Sequence, residues 1–182
     1  MTEELYDELD KHGKPTGKTI TPEQAHKNQI WHACVHVWIY NEKNEILLQK
    51  RSQQMDICPG LWDISAAGHL SSGEDPLKTA AREAKEELDI DINTHDLKKV
   101  GYKKFNKKLP SIIDKNFIHT EFVHVYLWKH DNQRFIKDKN EVEEVKFIPL
   151  DVFEKECKDE TKYVPHKEYY DFVVSEVRKA LN

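Results

Sequence analysis

Four glutamates and one arginine stand at chemically suggestive spacing in GHLSSGEDPLKTAAREAKEELDI: Glu74, Glu83, Glu86, Glu87 and Arg82. Pro76 suits a first helical position, and nothing breaks the run before Asp89, so residues 76–89 are predicted as a helix. At 3.6 residues per turn Leu77, Ala80, Ala81, Ala84 and Leu88 share one stripe, Glu83 and Glu87 flank it, and Glu86 lies opposite. Side chains three and four positions from Glu83 then come within about 5–6 Å of it at the Cβ atoms. Like charges so placed repel by a few tenths of a kcal/mol per pair in water, and by more once buried. A divalent cation reverses that sign, and carboxylates on one arc form a hard-oxygen site suited to Mg²⁺ or Mn²⁺. An isolated E-x-x-E-E is more often a solvated acidic face, with Lys85 and Arg82 as its partners. The flanks decide the matter: Gly68 lies six positions before Glu74, and Arg82 eight after it.

With those flanks the segment resembles the Nudix box, in which G, five residues, E, seven residues and R-E precede a hydrophobic residue, x, E-E, x, G and a hydrophobic residue. Gly68, Glu74, Arg82, Glu83, Ala84, Glu86, Glu87 and Ile90 match it. Asp89 replaces the last glycine, at a left-handed helix cap that Asp tolerates at modest cost. The resemblance implies an α/β fold, a Nudix-type α/β/α sandwich with a mixed sheet. It implies hydrolysis of a nucleoside diphosphate linked to another group, or of a similar diphosphate. Glu83, Glu86 and Glu87 would be metal ligands, joined by the Gly68 carbonyl, while Arg82 and Glu74 would hold the box in shape. The proton acceptor would be a box glutamate or one of Glu141, Glu143 and Glu144 in NEVEEV; Glu83, Glu87 and Glu144 are carried forward as catalytic candidates. A catalytically silent nucleotide sensor is an alternative, though such a member would be expected to have lost box glutamates, and none is missing.

The likeness reaches beyond the box. ELDKHGKPTGKT, AHKNQIWHACVHVWIYN, ILLQKRS and PGLWDISAAGH resemble the branch containing type I isopentenyl diphosphate isomerase and its hydrolase-like relatives. The isomerase uses a cysteine before the box glycine, where this chain has Ala67, and a methyl group cannot exchange a proton. Its Glu-x-Glu pair corresponds to His119-Thr120-Glu121, and its tryptophan following a proline to His166. Hydrolysis is therefore expected over isomerisation. The isomerase's second metal site implies His32, His69 and Glu121, with His26 one residue off the spacing and His119 in place of a glutamate. These residues would hold a Zn²⁺- or Mn²⁺-type ion or line the substrate cleft. Lys50 and Arg51, ending ILLQKR, stand where a diphosphate could meet them or at an exposed strand end. Cys58 reads as a loop thiol, and Trp31 and Trp62 as core.

The elements that must position these groups follow from pattern. ELYDELDKHGKPTGKTI reads as a hairpin, and TPEQAHKN as a short helix capped by Thr21. WHACVHVWIY is a central strand, ILLQKRS its returning partner, and PGLWDISAAG holds one short strand. Long strands are expected over 98–105 and 116–128, another in EVEEVKFIPL, and helices in LDVFEKECK and KEYYDFVVSEVRKAL. The 182 residues suit one domain: a 1–29 extension, a 30–160 core and a 161–182 terminal helix. A net charge of −5 disfavours nucleic acid as a partner, and YKKFNKKLP reads as a solvated strand and turn. Three widely spaced cysteines, the absence of a signal-like start and the absence of a long apolar run lead to the expectation of a cytoplasmic protein off the membrane. The expected partner is a small diphosphate, with monomer and homodimer both open.

Overall fold

The structure, a computed structural model, describes residues 4–112, 117–130 and 135–182. Asn116, the expected start of a strand, and residues 1–3 of the extension lie outside the described residues. The hairpin is β1 (Tyr6–Leu9) and β2 (Pro15–Ile20). In α1 (Pro22–Lys27) the Thr21 hydroxyl accepts from the Gln24 backbone, and the Gln24 side chain returns the bond to Thr21.

The aromatic and β-branched run becomes β3 (His32–Tyr40), followed by β4 (Glu45–Arg51), β5 (Trp62–Asp63) and β6 (Ala66–His69). The hairpin of β3 and β4 forks. Its strands pair at Tyr40 and Ile46, after which β5 joins β4 and β6 joins β3. PGLWDISAAG thus holds two short strands where one was expected. Ser65 sits between them, fully buried; its hydroxyl donates to the Leu47 carbonyl (2.6 Å) and accepts from the Ile39 amide (2.9 Å). It bridges the two arms of the fork. Ser65→Ala strands both backbone groups away from water and is expected to cost about 2–3 kcal/mol, read as a lower denaturation midpoint at unchanged slope.

The sheet continues with β7 (Lys98–Lys108), β8 (Ile118–Lys129) and β9 (Val142–Pro149). β8 runs parallel to β3, which sets Glu121 beside His32. β7 flanks β8, and β9 lies antiparallel to β4, so the sheet is mixed. Its two faces carry separate cores. On one, α2 (Pro76–Leu88) buries Ala80, Ala84 and Leu88 against Val35, Val37 and Leu47. On the other, α3 (Leu150–Glu156) and α4 (Lys167–Leu181) bury Phe153, Tyr170 and Val173 against Trp38, Leu48 and Val125. This is the α/β/α sandwich expected from sequence, and α4 shares the main core. Among the described residues no helix is long and apolar enough to cross a membrane.

Candidate active site

The fork opens into a cavity of about 410 Å³, walled by the acidic helix on one side and the inner faces of β3, β6 and β8 on the other. Asp75 caps α2 by accepting from the amides of Leu77 (3.0 Å) and Lys78 (3.2 Å). Asp89 ends it at φ 55°, the left-handed cap. The helix stripe tilts so that Glu83 and Glu87 are buried while Glu86 stays exposed. Arg82 ties the loop to the helix. Its guanidinium donates to both oxygens of Glu74 (3.1 Å each), to the His69 carbonyl (3.1 Å) and to Glu86 (2.9 Å), and lies 2.9 Å from Glu83. Glu87 accepts from the Ala67 amide (3.2 Å) and from the Gln49 side chain (3.3 Å), a partner that sequence reasoning missed. A polar residue inside the apolar run ILLQKR was its signal. Gly68 faces Glu83, and a Cβ there would overlap that carboxylate.

Burial pushes the Glu83 carboxyl up to about 7, against the pull of Arg82 and with the help of Glu86 and Glu141. Burial, then Glu83 and Glu141, hold Glu87 well above the usual carboxylate range. A carboxyl with a raised folded-state pKa binds more protons folded than unfolded, so its share of stability is lost as pH rises through the window between the two values. For Glu83 that window runs from the ordinary 4.5 to about 7. Half-buried His26, lowered to about 4 by desolvation, contributes the opposite slope in overlapping pH, so the wild-type curve alone is mixed. Glu83→Gln is therefore expected to gain stability relative to wild type as pH climbs through that window in chelator. The gain should shrink with Mg²⁺ or Mn²⁺, as read by paired thermal melts.

The remaining candidates separate. Arg51 lines the cavity, where it donates to the Ile57 carbonyl (2.9 Å) and to Asp63 (3.3 Å). Lys50 does not: neighbouring strand residues face opposite ways, and Lys50 pairs with Glu143 outside the cavity at 2.8 Å. Glu144 also fails to join the site. Val145 and Phe147 pack toward α2 and Ile148 toward the opposite core, so the two-residue period turns Glu144 away from the acidic helix. Glu141 lines the cavity instead. Its carbonyl accepts from Ser52 (2.7 Å), and the Asp138 amide of its loop donates to the Glu87 carbonyl (3.0 Å). Burial, then Asp138, raises its carboxyl.

Across the cavity, Glu121 gathers imidazoles. Its Oε1 lies 2.9 Å from His69 Nε2, 2.5 Å from His119 Nε2 and 3.5 Å from His32 Nε2, and Oε2 accepts from the Cys34 thiol at 2.8 Å. Burial opposes its charge, yet the histidines, His119 foremost, hold Glu121 well below the usual range. His26 joins from α1, and donor atoms of His26, His32, His69 and Glu121 all lie within 4.8 Å of one another. His32 gives its Nδ1 proton to the Ile30 carbonyl (2.8 Å), leaving Nε2 buried with no hydrogen-bond partner. In a neutral ring that lone pair faces a carboxylate oxygen, which demands a proton or a cation between them. Tyr6 of β1 stacks on His32 (5.4 Å) and His69 (4.9 Å), a support the sequence did not reveal. Ala67 and His166 also border the cavity, whereas Cys58, at φ 50°, is a buried loop thiol on its rim.

Fold and site together define an α/β/α sandwich whose split sheet meets a glycine loop and an acidic helix. The chain matches the NUDIX domain model over residues 31–171 and belongs to that family. The hairpin and α1, and with them Tyr6 and His26, lie outside the matched range. Nudix hydrolase 3 of Arabidopsis thaliana is 38% identical over 181 residues, covering 97% of this chain and 21% of the relative. This chain thus spans a minor part of that protein. An uncharacterized Nudix hydrolase of Clostridium acetobutylicum is 30% identical over 154 residues (83% of this chain, 72% of the relative). Isopentenyl-diphosphate Delta-isomerase 2 of Photorhabdus laumondii is 30% identical over 142 residues (78% and 75%). The crystal structure of DR0079 from Deinococcus radiodurans superposes with TM-score 0.72 at 18% identity, covering 92% of this chain and 98% of that one, a likeness of fold.

Proposed function

We propose that this chain is a divalent-cation-dependent hydrolase of a diphosphate linkage, acting on a nucleoside diphosphate linked to another group or on a similar diphosphate. The observation that carries this reading is the crowding of Glu83, Glu86, Glu87 and Glu141 around one cavity, two of them buried. The donor set fits a hard cation: all its atoms are oxygens, and the absent Gly68 side chain leaves room for the Glu83 head. Glu83, Glu86 and Glu87, with the Gly68 carbonyl, would hold Mg²⁺ or Mn²⁺. When bound, such a cation neutralises the diphosphate and acidifies the attacking water. Arg82 orients the glutamates, and Arg51 faces the phosphate oxygens. Glu141, fixed by backbone bonds at its loop, takes the proton of the water in place of Glu144, with Glu83 and Glu87 as the neighbouring acceptors.

The Glu121 cluster fits a second, borderline ion of Zn²⁺ or Mn²⁺ type, since imidazole donors and the orphaned Nε2 of His32 suit one. His32→Ala is expected to lower the metal retained after dialysis by one equivalent, counted by atomic emission.

Isomerisation of a five-carbon diphosphate is the second reading. It is favoured by the meeting of His119, Glu121 and His166 in the same cavity. It is opposed by Ala67, which offers only a methyl group where the reaction needs an exchangeable proton. The deciding experiment incubates the protein and a Glu86→Gln control with nucleotide sugars, dinucleotides and isoprenoid diphosphates under Mg²⁺ or Mn²⁺. Cleavage to monophosphates by the wild type alone supports hydrolysis. Rearranged isopentenyl diphosphate without phosphate release overturns it.

A further inference from the structure

His36, Trp38 and Tyr169 form a buried relay that the hydrolytic reading leaves unused. Trp38 Nε1 and His36 Nδ1 each lie 2.8 Å from the Tyr169 hydroxyl. The three residues come from β3 and from the first turn of α4, and all are at most 6% exposed. Indole is a donor only, so the Trp38 bond occupies the Tyr169 oxygen as acceptor. The hydroxyl proton then has one outlet among the described residues, the Nδ1 of His36. Were Nδ1 to carry the proton instead, the Tyr169 O–H would be buried without an acceptor, a costly state. The relay therefore fixes one tautomer: His36 accepts at Nδ1 and bears its hydrogen on Nε2.

Burial reinforces this arrangement by disfavouring the imidazolium. His36 borders the active-site cavity, and its register partner on β6 is Ala67, directly before the box glycine. Its Nε2 makes no hydrogen bond within reach among the described residues, and the ring shares a cluster with the Cys34 thiol and the Glu121 carboxylate, whose donor atoms lie within 4.8 Å of it. A neutral N–H held rigidly in the cavity wall, near Glu121 but without a bonded acceptor, is a donor that a ligand oxygen can engage.

We propose that His36 is a catalytic residue of this site, a neutral Nε2–H donor to an oxygen of the bound diphosphate ester, and that Tyr169 and Trp38 are positioning residues that fix its tautomer. The inference rests on the hydrolase reading, since it supplies that reading with a donor opposite the carboxylate wall. No proton is transferred: the hydrogen bond stabilises oxygen charge as it develops, as preorganised donors do.

The test uses the full chain with ¹⁵N-labelled histidine. In the wild type, His36 should show protonated Nε2 and bare Nδ1, unchanged between roughly pH 5 and 8, the span in which a free imidazole titrates. Titration with methylenediphosphonate, which cannot be hydrolysed, in the presence of Mg²⁺ should shift the Nε2–H resonance. Tyr169→Phe should mix the tautomers. His36→Leu should lower kcat by about 10²-fold, with His36→Gln, which keeps an N–H, intermediate. A proton on Nδ1, an Nε2–H resonance indifferent to saturating diphosphonate, or full turnover by His36→Leu overturns the proposal. Failure of the wild type to cleave any diphosphate would sink the hydrolase reading alone, because the tautomer and the diphosphonate shift are read without turnover.

Discussion

Glu87→Gln is expected to lower diphosphate turnover by on the order of 10³-fold while making the metal-free protein more stable. Both effects follow from the same atoms. Glu87 is 4% exposed, and its Oε2 is met by two neutral donors, the Ala67 amide and the Gln49 side chain. Neither neutralises a carboxylate, and Glu83 and Glu141 add repulsion. The glutamine oxygen can still accept those bonds, so the fold loses a buried charge and keeps its geometry. The cation loses a ligand. Steady-state kinetics with Mn²⁺ and melting in chelator read the two effects separately. A variant with full turnover would remove Glu87 from the site.

Gly68→Ala is the second large effect. The added methyl would overlap Glu83 Cδ and both its oxygens. Gly68 is paired with Val35 on β3, so the strand cannot easily retreat and the carboxylate must swing out of the cavity. The atoms met are the mobile end of the Glu83 side chain, so the cost in stability should be small. Displacing a ligand head should weaken Mn²⁺ binding by roughly 10–100-fold. Gly73→Ala is the control. That glycine, at φ +74°, has open space around the position of a Cβ, so its substitution strains a turn without touching Glu83. Calorimetric Mn²⁺ titration should show the loss in Gly68→Ala and near-native affinity in Gly73→Ala.

The acidic helix was legible because its cues are local. Pro76 and the apolar stripe set its start and its face, and Asp89 takes the left-handed cap that the box reserves for glycine, while the Asp75 cap emerged only in the structure. The Thr21 cap of α1 was legible for the same reason, though the returning bond of Gln24 was not read. What stayed hidden depended on pairing between distant segments. Nothing in NEVEEV says that β9 begins at Val142, yet that start decides that Glu141 reaches the cavity while Glu144 turns away. Lys50 and Arg51 fall on opposite faces of β4 by strand alternation, and only the assembled sheet shows that the face of Arg51 is the one that meets the cavity. PGLWDISAAG read as one short strand, and Ser65 within it proved to sit between two and to bridge the fork. The Tyr169 relay joins residues 131 and 133 positions apart, beyond the reach of any periodicity. His32, His69 and Glu121, by contrast, were placed by resemblance, and the pairing of β3 with both β8 and β6 brings them together.

Anomalous diffraction from crystals grown with Mn²⁺ and methylenediphosphonate tests the metal-bridged cleavage site most directly. The account predicts a manganese peak within ligand distance of Glu83, Glu86 and Glu87, bridged to the diphosphonate, and its loss in Glu87→Gln. A diphosphonate seated in the cavity with no peak at those glutamates, or with manganese confined to the Glu121 cluster, would contradict it.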